Sequence, residues 1–328
     1  MQRVFSGIQP TGNIHIGNYL GAIRNWVAMQ HQYESLFCIV DYHAITVEYE
    51  PQLLHERVMD LAATLIASGL DPEQCTLFVQ SSVPEHAELT WLLTCITSIG
   101  ALERMTQFKD KAERQKSGVF AGLMNYPVLM ASDILIYKAE LVPVGDDQIQ
   151  HLELTREIAR RFNTLFGEIL PEPQPILTKA ARIMALNDPT SKMSKSIEGS
   201  YIAIDDDDDT IRKKIRRAVT DPGPQGGEMG PGVKNLFTLL EAFAAPEIVE
   251  QFRSDYANES LRYSDLKQTL GDAIVEKIAP IRERKAEILA KPDQLMELLN
   301  AGGAKARKIA RENMVEIREA MGFKMPVL

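Results

Sequence analysis

The stretch from Phe5 to Asn18 constrains the fold more than any other part of the sequence. Arg3 to Ser6 have the pattern of a strand entering a sheet, two glycines and a proline mark a tight turn, and helical spacing begins at Gly17. A turn of small residues that opens a helix presents backbone N–H groups, which bind anions. His15 lies at the mouth of this turn with Asn18. The stretch therefore predicts a phosphate site, although any strand-to-helix turn contains glycines.

A second distinctive stretch lies far along the chain, at Lys192-Met193-Ser194-Lys195-Ser196. Two lysines three positions apart among hydroxyl residues suit an exposed loop that closes on phosphates, because a lysine supplies a flexible point charge. Taken alone, such a run is more often a solvated loop. This stretch therefore indicates a phosphate-binding loop only when it is considered together with the first stretch.

Together, His15-Ile16-Gly17-Asn18 and Lys192 to Ser196 resemble the HIGH and KMSKS motifs of class I aminoacyl-tRNA synthetases. The second match is complete, whereas Asn18 replaces the final His of the first motif. That ending is typical of the bacterial-type tryptophanyl members. The similarity to them is collinear over nearly the whole chain and includes Phe5 to Pro10, Val40 to Thr46, Glu103 to Lys111, Tyr126 to Tyr137, Val142 to Gln148 and Ala218 to Asp221.

The alternation of strands and helices in the first half predicts an α/β fold with a parallel sheet. We predict strands at Leu36 to Val40, Thr76 to Gln80, Glu140 to Val144 and Ile183 to Leu186. In such sheets the loops after the strands meet at one edge, where ligands bind. The resemblance implies a Rossmann-like catalytic domain at 1–200 with a helical insertion at about 89–138. It also implies an all-helical anticodon-binding domain at 201–328.

Two local helix signals are also informative. Ser82 followed by Glu85 has the spacing of a capping box at the start of a helix. Pro280 lies inside a long periodic segment, Leu266 to Leu289, and should kink or divide it. From Val233 onward the pattern is helical without a strand.

Composition limits the possible functions of the 328-residue chain. No apolar run is long enough for a membrane span, and Met1 leads directly into a strand, so we expect a cytoplasmic protein without a signal segment. A net charge of −9 argues against general nucleic-acid binding but permits a local basic surface. The three cysteines are Cys38, Cys75 and Cys95, so we expect reduced thiols and no iron–sulfur cluster or structural zinc.

The resemblance implies a two-step reaction. The carboxylate of tryptophan attacks the α-phosphate of ATP and releases pyrophosphate, and the adenylate then acylates the terminal adenosine of tRNA(Trp). Mg²⁺ would accompany ATP, held mainly by phosphates and water. The implied catalytic residues are Lys192, Lys195, His15 and Thr11. The implied ATP-binding set is Gln9, Pro10, Thr11, Gly17, Asn18, Gly145, Asp146, Asp147, Gln148, Ile183, Lys192, Met193, Ser194, Lys195 and Ser196.

Specificity would depend on Asp133, a carboxylate among apolar residues. Its functional interpretation is acceptance of the indole N–H, and the alternative is a purely structural helix residue. A buried acceptor without its donor is costly, so such a site rejects phenylalanine, but it does not by itself reject tyrosine. The other implied pocket residues are Phe5, Met130, Val142, Val144 and His43.

The remaining histidines and charge clusters have ordinary interpretations. His43 follows Asp41, but a metal site there lacks further ligands at suitable spacing, and His31, His55, His86 and His151 resemble plain helix positions. The acidic run 205–209 before a basic cluster fits the helix dipole, with tRNA contact as the alternative. Basic residues in the last helix are solvated or contact the anticodon (Lys305, Arg307, Lys308 and Arg311).

Three rival functions remain open from the sequence. A tyrosyl synthetase would share the fold and chemistry, whereas a synthetase-like sensor would bind tryptophan or ATP without charging tRNA. A dinucleotide-binding oxidoreductase is disfavoured because the first turn lacks G-x-G-x-x-G. The resemblance also implies a homodimer, built largely on the helical insertion.

Overall fold

The computed structural model describes residues 1–108, 118–145, 148–177, 183–195, 197–221 and 229–323. In this part of the chain, five parallel strands form one sheet in the order β3-β2-β1-β4-β5. The strands are β1 (Arg3–Ile8), β2 (Glu34–Ile39), β3 (Thr76–Val79), β4 (Leu141–Val144) and β5 (Gln174–Leu177). The predicted α/β class is confirmed. Because the strand order reverses beside β1, a ligand crevice is expected beyond its carboxyl end.

One predicted strand is wrong. Ile183 to Leu186 form no strand, and Met184 makes an isolated antiparallel bridge to Lys192 instead. The fifth strand is β5, in register with β4 from Leu141 opposite Gln174 to Val144 opposite Leu177. It escapes prediction because it is a short, largely exposed edge strand without the apolar run that is typical of a buried strand.

Helices cover both faces of the sheet. A broken first helix consists of α1 (Ile16–Asn18), a π-helical turn (Tyr19–Ile23) and α2 (Arg24–Met29). The next elements are α3 (Asp41–Ala44), α4 (Pro51–Ala67), a 3₁₀ turn (Gln80–Ser82), α5 (Glu85–Thr94), α6 (Ile99–Glu103), α7 (Ala121–Leu135) and α8 (Ile149–Phe166). Then follow α9 (Asp208–Arg217), α10 (Pro231–Phe243), α11 (Pro246–Ala257), α12 (Tyr263–Leu289) and α13 (Pro292–Ala320).

Strand β2 separates two apolar cores. Its alternate residues Phe37 and Ile39 pack with Trp26 and the C-terminal helices, and the Phe37 and Trp26 rings stack. Leu36 and Cys38 face the other way, into the core formed with α5, α7 and α8. Successive strand side chains point to opposite faces, so one fully buried strand serves both cores.

The C-terminal helices pack tightly against the sheet domain. The ammonium of Lys285 on α12 is buried and lies 2.6 Å from Asp60 on α4 and 2.7 Å from Asp205. On α13, a Cβ atom at Gly302 would lie 1.9 Å from the carbonyl oxygen of Leu77 in β3. Glycine is therefore required at this contact, where helix backbone meets strand backbone.

One helix prediction is wrong for a tertiary reason. The Ser82–Glu85 capping box is absent, because the hydroxyl of Ser82 donates to the Val79 carbonyl and Glu85 pairs with Arg307 of α13. Pro280 does not divide helix α12, which continues through it, and a kink at this position stays a prediction. The dipole interpretation of α9 is confirmed, since Asp207 caps it by accepting from the Thr210 N–H and its last turn is basic. No helix in the described ranges is long and apolar enough to cross a membrane.

Candidate active site

The first turn is closed by a side-chain cap on α1. Nδ1 of His15 accepts hydrogen bonds from the backbone N–H groups of Gly17, at 3.1 Å, and Asn18, at 3.3 Å. The amide oxygen of Asn18 accepts in return from the backbone N–H of His15, at 3.2 Å. The prediction that this helix start offers those N–H groups to an anion is therefore wrong. Because Nδ1 accepts, the neutral ring carries its proton on Nε2, which is the atom able to donate to a phosphate.

Gly17 is required by this cap. A Cβ atom at Gly17 would lie 2.9 Å from the His15 ring and 3.6 Å from the sulfur of Met193. A side chain here would displace the capping imidazole or the Met193 side chain that packs above it. The glycine thus permits both the cap and the approach of the lysine loop (residues 192–195).

The His15 imidazole stays uncharged near neutral pH. Burial, followed by the charges of Lys195 and Lys192, lowers the pKa of His15 from 6.5 to about 4. The shift follows from desolvation of the cation and repulsion by two ammonium groups. His15 is therefore a hydrogen-bond donor at Nε2 rather than a source of protons at pH 7.

The lysine loop docks on the first turn. Nζ of Lys195 donates to the carbonyl oxygens of Gly12, at 3.1 Å, and Thr11, at 3.3 Å. The backbone N–H of Met193 donates to the carbonyl of Ile183 at 3.1 Å, and the Met193 side chain is buried. Lys192 is exposed beside it. The structure thus brings together residues separated by more than half of the chain.

A pocket of about 280 Å³ opens beyond the carboxyl ends of β1 and β4. Every residue of the predicted tryptophan set lines it, namely Phe5, His43, Met130, Asp133, Val142 and Val144. Gln9 and Gln148 of the predicted ATP set line it as well, together with Gln107 and Tyr126, which the sequence interpretation did not select. Apolar walls around few polar groups are typical of a small-molecule site.

Asp133 lies at the base of this pocket with 1% of its surface exposed. Its Oδ1 atom is 2.7 Å from Nε2 of Gln80 and 2.6 Å from Nδ1 of His86, and its Oδ2 atom is 2.8 Å from Nε2 of His43. Burial alone would raise the pKa of Asp133, but the hydrogen bonds from His43 and His86 outweigh it and hold the pKa below its usual value. The pocket therefore contains a buried, ionised acceptor.

Tyr126 and Tyr137 complete the polar surroundings. Burial raises the pKa of Tyr126 to about 12, and its hydroxyl lies 2.8 Å from Nε2 of His151. The hydroxyl of Tyr137 lies 2.8 Å from Nε2 of His86, and burial holds the pKa of Tyr137 well above its usual value. Both phenols keep their protons near neutral pH. The expectation that His86 and His151 are plain helix positions is wrong, since both are fully buried and hydrogen-bonded.

The lysine loop and the pocket meet through the turn after β1. The backbone N–H of Thr11 donates to the carbonyl of Gln9 at 2.9 Å, so a pocket residue and an acceptor of Lys195 share one tight turn. Pro10 lies between them and is buried. The carbonyl of Gly145 accepts from the N–H of Gln148 at 2.9 Å. The predicted site residues Asp146, Asp147 and Ser196 lie outside the described residues.

Across the described ranges, no group of three or more His, Cys, Asp or Glu residues is arranged to hold a metal ion. The carboxylate of Asp41 instead accepts from the backbone N–H groups of Tyr42 and Ser81. His43 is engaged with Asp133.

A family model described as tRNA synthetases class I (W and Y) matches residues 1–278. The chain belongs to this family. Among its relatives in the family, the tryptophan–tRNA ligase of Clostridium tetani is 47% identical over 98% of this chain and 95% of that protein. The tryptophan–tRNA ligase of Helicobacter pylori strain 26695 is 47% identical over 98% of this chain and 99% of that protein.

Solved structures of class I tRNA synthetases agree with this placement. Tryptophanyl-tRNA synthetase from Campylobacter jejuni, complexed with ADP and tryptophan, superposes with a TM-score of 0.87 at 36% identity, over 98% of this chain and 100% of that one. Tyrosyl-tRNA synthetase from Archaeoglobus fulgidus superposes with a TM-score of 0.70 at 21% identity, over 87% of this chain and 90% of that one. The latter likeness shows the shared fold alone.

Proposed function

We propose that this chain is a tryptophan–tRNA ligase, which forms tryptophanyl-adenylate from tryptophan and ATP and transfers tryptophan to tRNA(Trp). The observation that carries the proposal is the buried, ionised Asp133 in an apolar pocket beside the docked lysine loop. The pocket offers an acceptor for one N–H group within walls suited to a flat ring. The adjoining turn and loop offer cations and donors suited to a nucleotide.

In the first step, the tryptophan carboxylate attacks the α-phosphorus of ATP and pyrophosphate leaves. Such a transfer needs alignment and positive charge more than covalent help from the protein. Lys192 and Lys195 supply the charge for the leaving pyrophosphate, and Nε2–H of His15 donates to a phosphate oxygen. Mg²⁺ enters with ATP as part of that substrate, held by the phosphates and water.

The nucleotide is held from two sides. On one side lie the first turn and helix start, through Gln9, Pro10, Thr11, Gly17 and Asn18. On the other lie Ile183 and the lysine loop, whose backbones are joined at Met193. The residues after β4 (Gly145 to Gln148) bind the ribose. Gly17 leaves room for the nucleotide at the start of α1 because it carries no side chain.

The amino acid is selected by shape and by one polar contact. Phe5, Met130, Val142 and Val144 surround the indole, and Asp133 accepts its N–H. Phenylalanine leaves this buried acceptor without a donor. An unsatisfied buried group costs about 1–3 kcal/mol, and a charged group such as Asp133 costs more. Tyrosine carries a donor, but its hydroxyl lies farther from the ring attachment than the indole nitrogen does, so shape rejects it.

In the second step, the ribose hydroxyl of the terminal tRNA adenosine attacks the adenylate carbonyl and AMP leaves. We assign residues 1–200, with the insertion at about 89–138, to the catalytic domain and residues 201–328 to anticodon recognition. Arg307 is held by Glu85, and Arg212 and Lys214 are held by Asp272 and Asp206, so these three bases are weaker candidates for tRNA contact.

We further propose that the protein acts as a homodimer in the cytoplasm, where tRNA is charged. Exposed apolar side chains support the dimer. Trp91, Ile99 and Phe120 are 68%, 66% and 63% exposed, and all three lie in the helical insertion. Large apolar groups exposed in one region are typical of a surface that another protein covers.

The test is aminoacylation of tRNA by the purified full-length chain, with ATP, Mg²⁺ and labelled tryptophan. We expect labelled tryptophanyl-tRNA from tRNA(Trp) and none from tRNA(Tyr). The matched control is the Lys192→Ala/Lys195→Ala double variant, which leaves the Asp133 pocket intact. Tryptophan binding without charging in the unmodified protein would contradict the proposal and identify a sensor.

A further inference from the structure

We infer that His86 is a positioning residue for tryptophan specificity, which acts by aiming Oδ2 of Asp133 into the pocket. The inference rests on the proposed function, since it concerns the carboxylate that accepts the indole N–H. His86 lies on α5, is fully buried and does not line the pocket. It therefore does not touch a substrate in the pocket and acts on it through its hydrogen bond to Asp133.

The donors around Asp133 can be assigned from chemistry. An ionised carboxylate is an acceptor only, so each partner within hydrogen-bond distance must donate to it. Gln80 donates from Nε2 because its Oε1 atom is held by the backbone N–H of Tyr42 at 3.0 Å, which fixes the direction of the amide. His86 donates from Nδ1, and His43 donates from Nε2.

Tyr137 fixes the tautomer of His86. With its proton on Nδ1, the neutral imidazole offers Nε2 as an acceptor, and the Tyr137 hydroxyl lies 2.8 Å from that atom. The phenol is fully buried, keeps its proton and donates it. The Tyr137 ring is in turn stacked on Phe5, whose side chain lines the pocket, with 5.6 Å between the ring centroids. The two hydrogen bonds therefore run in one direction, from Tyr137 to His86 and from His86 to Asp133.

This arrangement determines which oxygen faces the substrate. Gln80 and His86 together occupy both lone pairs of Oδ1, at 2.7 and 2.6 Å. Oδ2 receives the donor from His43, which lines the pocket, and so one lone pair of Oδ2 remains toward the pocket within the described part of the chain. An indole N–H that reaches Oδ2 occupies the remaining lone pair of the carboxylate. Without the His86 donor, the carboxylate can rotate and the open lone pair is no longer aimed.

The test uses a tryptophan analogue that lacks only the donor, L-β-(3-benzothienyl)alanine, in which sulfur replaces the indole N–H. For each variant, kcat/KM is measured for both amino acids in ATP–pyrophosphate exchange, and their ratio reports the N–H contact. In the unmodified protein we expect tryptophan to be preferred by about 30- to 100-fold, as for a donor lost from a charged acceptor.

Two amide substitutions form a matched pair. In His86→Asn the amide nitrogen replaces Nδ1, so we expect a ratio within about threefold of the unmodified protein, because the donor to Asp133 is kept. In His86→Gln the amide reaches toward Tyr137 instead, and we expect the ratio to fall below about 5. The KM for ATP should change by less than about twofold in both variants, since His86 is remote from the lysine loop.

Ser132→Ala is the control for a purely structural effect. The Ser132 hydroxyl donates to the His86 backbone carbonyl at 2.8 Å, so its loss weakens the same helix pair but leaves the imidazole in place. We expect a lower melting temperature and an unchanged ratio. If His86→Gln does not fold, Tyr137→Phe is the second test, since it removes only the O–H that fixes the tautomer, and the ratio should fall by about threefold or more.

The outcomes separate the two proposals. A strong preference for tryptophan that persists in His86→Gln, or in Tyr137→Phe if that variant is the one measured, overturns the positioning role and leaves the function of Asp133 intact. Equal use of the two amino acids by the unmodified protein overturns the acceptor role of Asp133 and the inference that depends on it. A ratio lost in His86→Gln and retained in His86→Asn supports the inference.

Discussion

The ammonium of Lys195 donates a hydrogen bond to the carbonyl oxygen of Gly12 over 3.1 Å, although 183 positions separate the two residues in the sequence. The contact joins the lysine loop to the turn after β1, and a second donation to Thr11 strengthens it. Because both acceptors are backbone carbonyls, the loop is held without neutralising the lysine charge. The positive group is thus held beside the first turn, where we propose that the phosphates of ATP bind.

Replacement of Lys195 tests this placement. We expect Lys195→Ala to slow adenylate formation by about 100-fold or more, the usual cost of removing one preorganised donor from developing negative charge. Binding of tryptophan in the Asp133 pocket should change by less than about twofold, since Lys195 does not line it. Single-turnover formation of adenylate, followed by rapid quench, measures the effect. An adenylation rate within about twofold of the unmodified protein would remove Lys195 from the site.

His15 is predicted to act at Nε2 in addition to capping α1. We expect His15→Ala to slow adenylate formation, mainly through kcat, by on the order of 100-fold. His15→Asn is the matched control, because its amide oxygen replaces Nδ1 as the cap acceptor while Nε2 is lost. It should keep the melting temperature but not the rate. Full activity in His15→Asn would show that the cap is the whole role of this residue.

The low pKa of His15 predicts a pH-dependent stability. Burial and the nearby lysines lower this pKa to about 4 in the folded protein, against 6.5 for the unperturbed group. Between pH 6.5 and 4 the unfolded chain therefore binds a proton at His15 that the folded chain does not, and stability falls as the pH falls.

His15→Asn has no titrating group at this position and provides the comparison. We expect its melting temperature to exceed that of the unmodified protein at about pH 4.5 by about 2–4 °C more than at about pH 7.5. Differential scanning calorimetry at the two pH values checks this. The same difference at both pH values would show that His15 titrates normally in the folded state.

Asp133→Asn tests the specificity pocket. The substituted amide keeps the size of the side chain but removes the ionised acceptor. Its NH₂ group would also face one of the groups that donate to Asp133, so two donors would meet without an acceptor. We expect the Kd for tryptophan to rise by about 30-fold or more, and the Kd for ATP to change by less than about threefold. Isothermal titration with each ligand measures both. Equal losses for the two ligands would indicate a structural role for Asp133.

The sequence predicted most of the sheet because β2 and β3 contain short apolar runs and β1 alternates before a glycine turn. It predicted the wrong fifth strand because β5 is a largely exposed edge strand without an apolar run, whereas the apolar residue Ile183 is buried in an irregular segment beside the lysine loop. Met193 and Ile183 are joined by a backbone hydrogen bond within the docked loop. Burial of a short apolar segment does not by itself distinguish a strand from an irregular contact.

The site was predicted where residue types are distinctive along the chain and missed where they are not. The two signature stretches and Asp133 stand out locally. His86 does not, because its partners Asp133 and Tyr137 are 47 and 51 positions away and no spacing rule links them. The capping-box prediction at Glu85 failed for the same kind of reason, since Arg307 lies 222 positions away. Tertiary partners decided both cases.

The most direct test of the proposed function is amino-acid-dependent exchange of labelled pyrophosphate into ATP, without tRNA, compared for tryptophan, tyrosine and phenylalanine. We expect exchange with tryptophan and exchange at least about 100-fold slower with the other two, because the Asp133 acceptor rejects phenylalanine and the pocket shape rejects tyrosine. Comparable exchange with tyrosine would contradict the assigned specificity. Absence of exchange with all three amino acids, from protein that binds tryptophan, would contradict the assigned reaction.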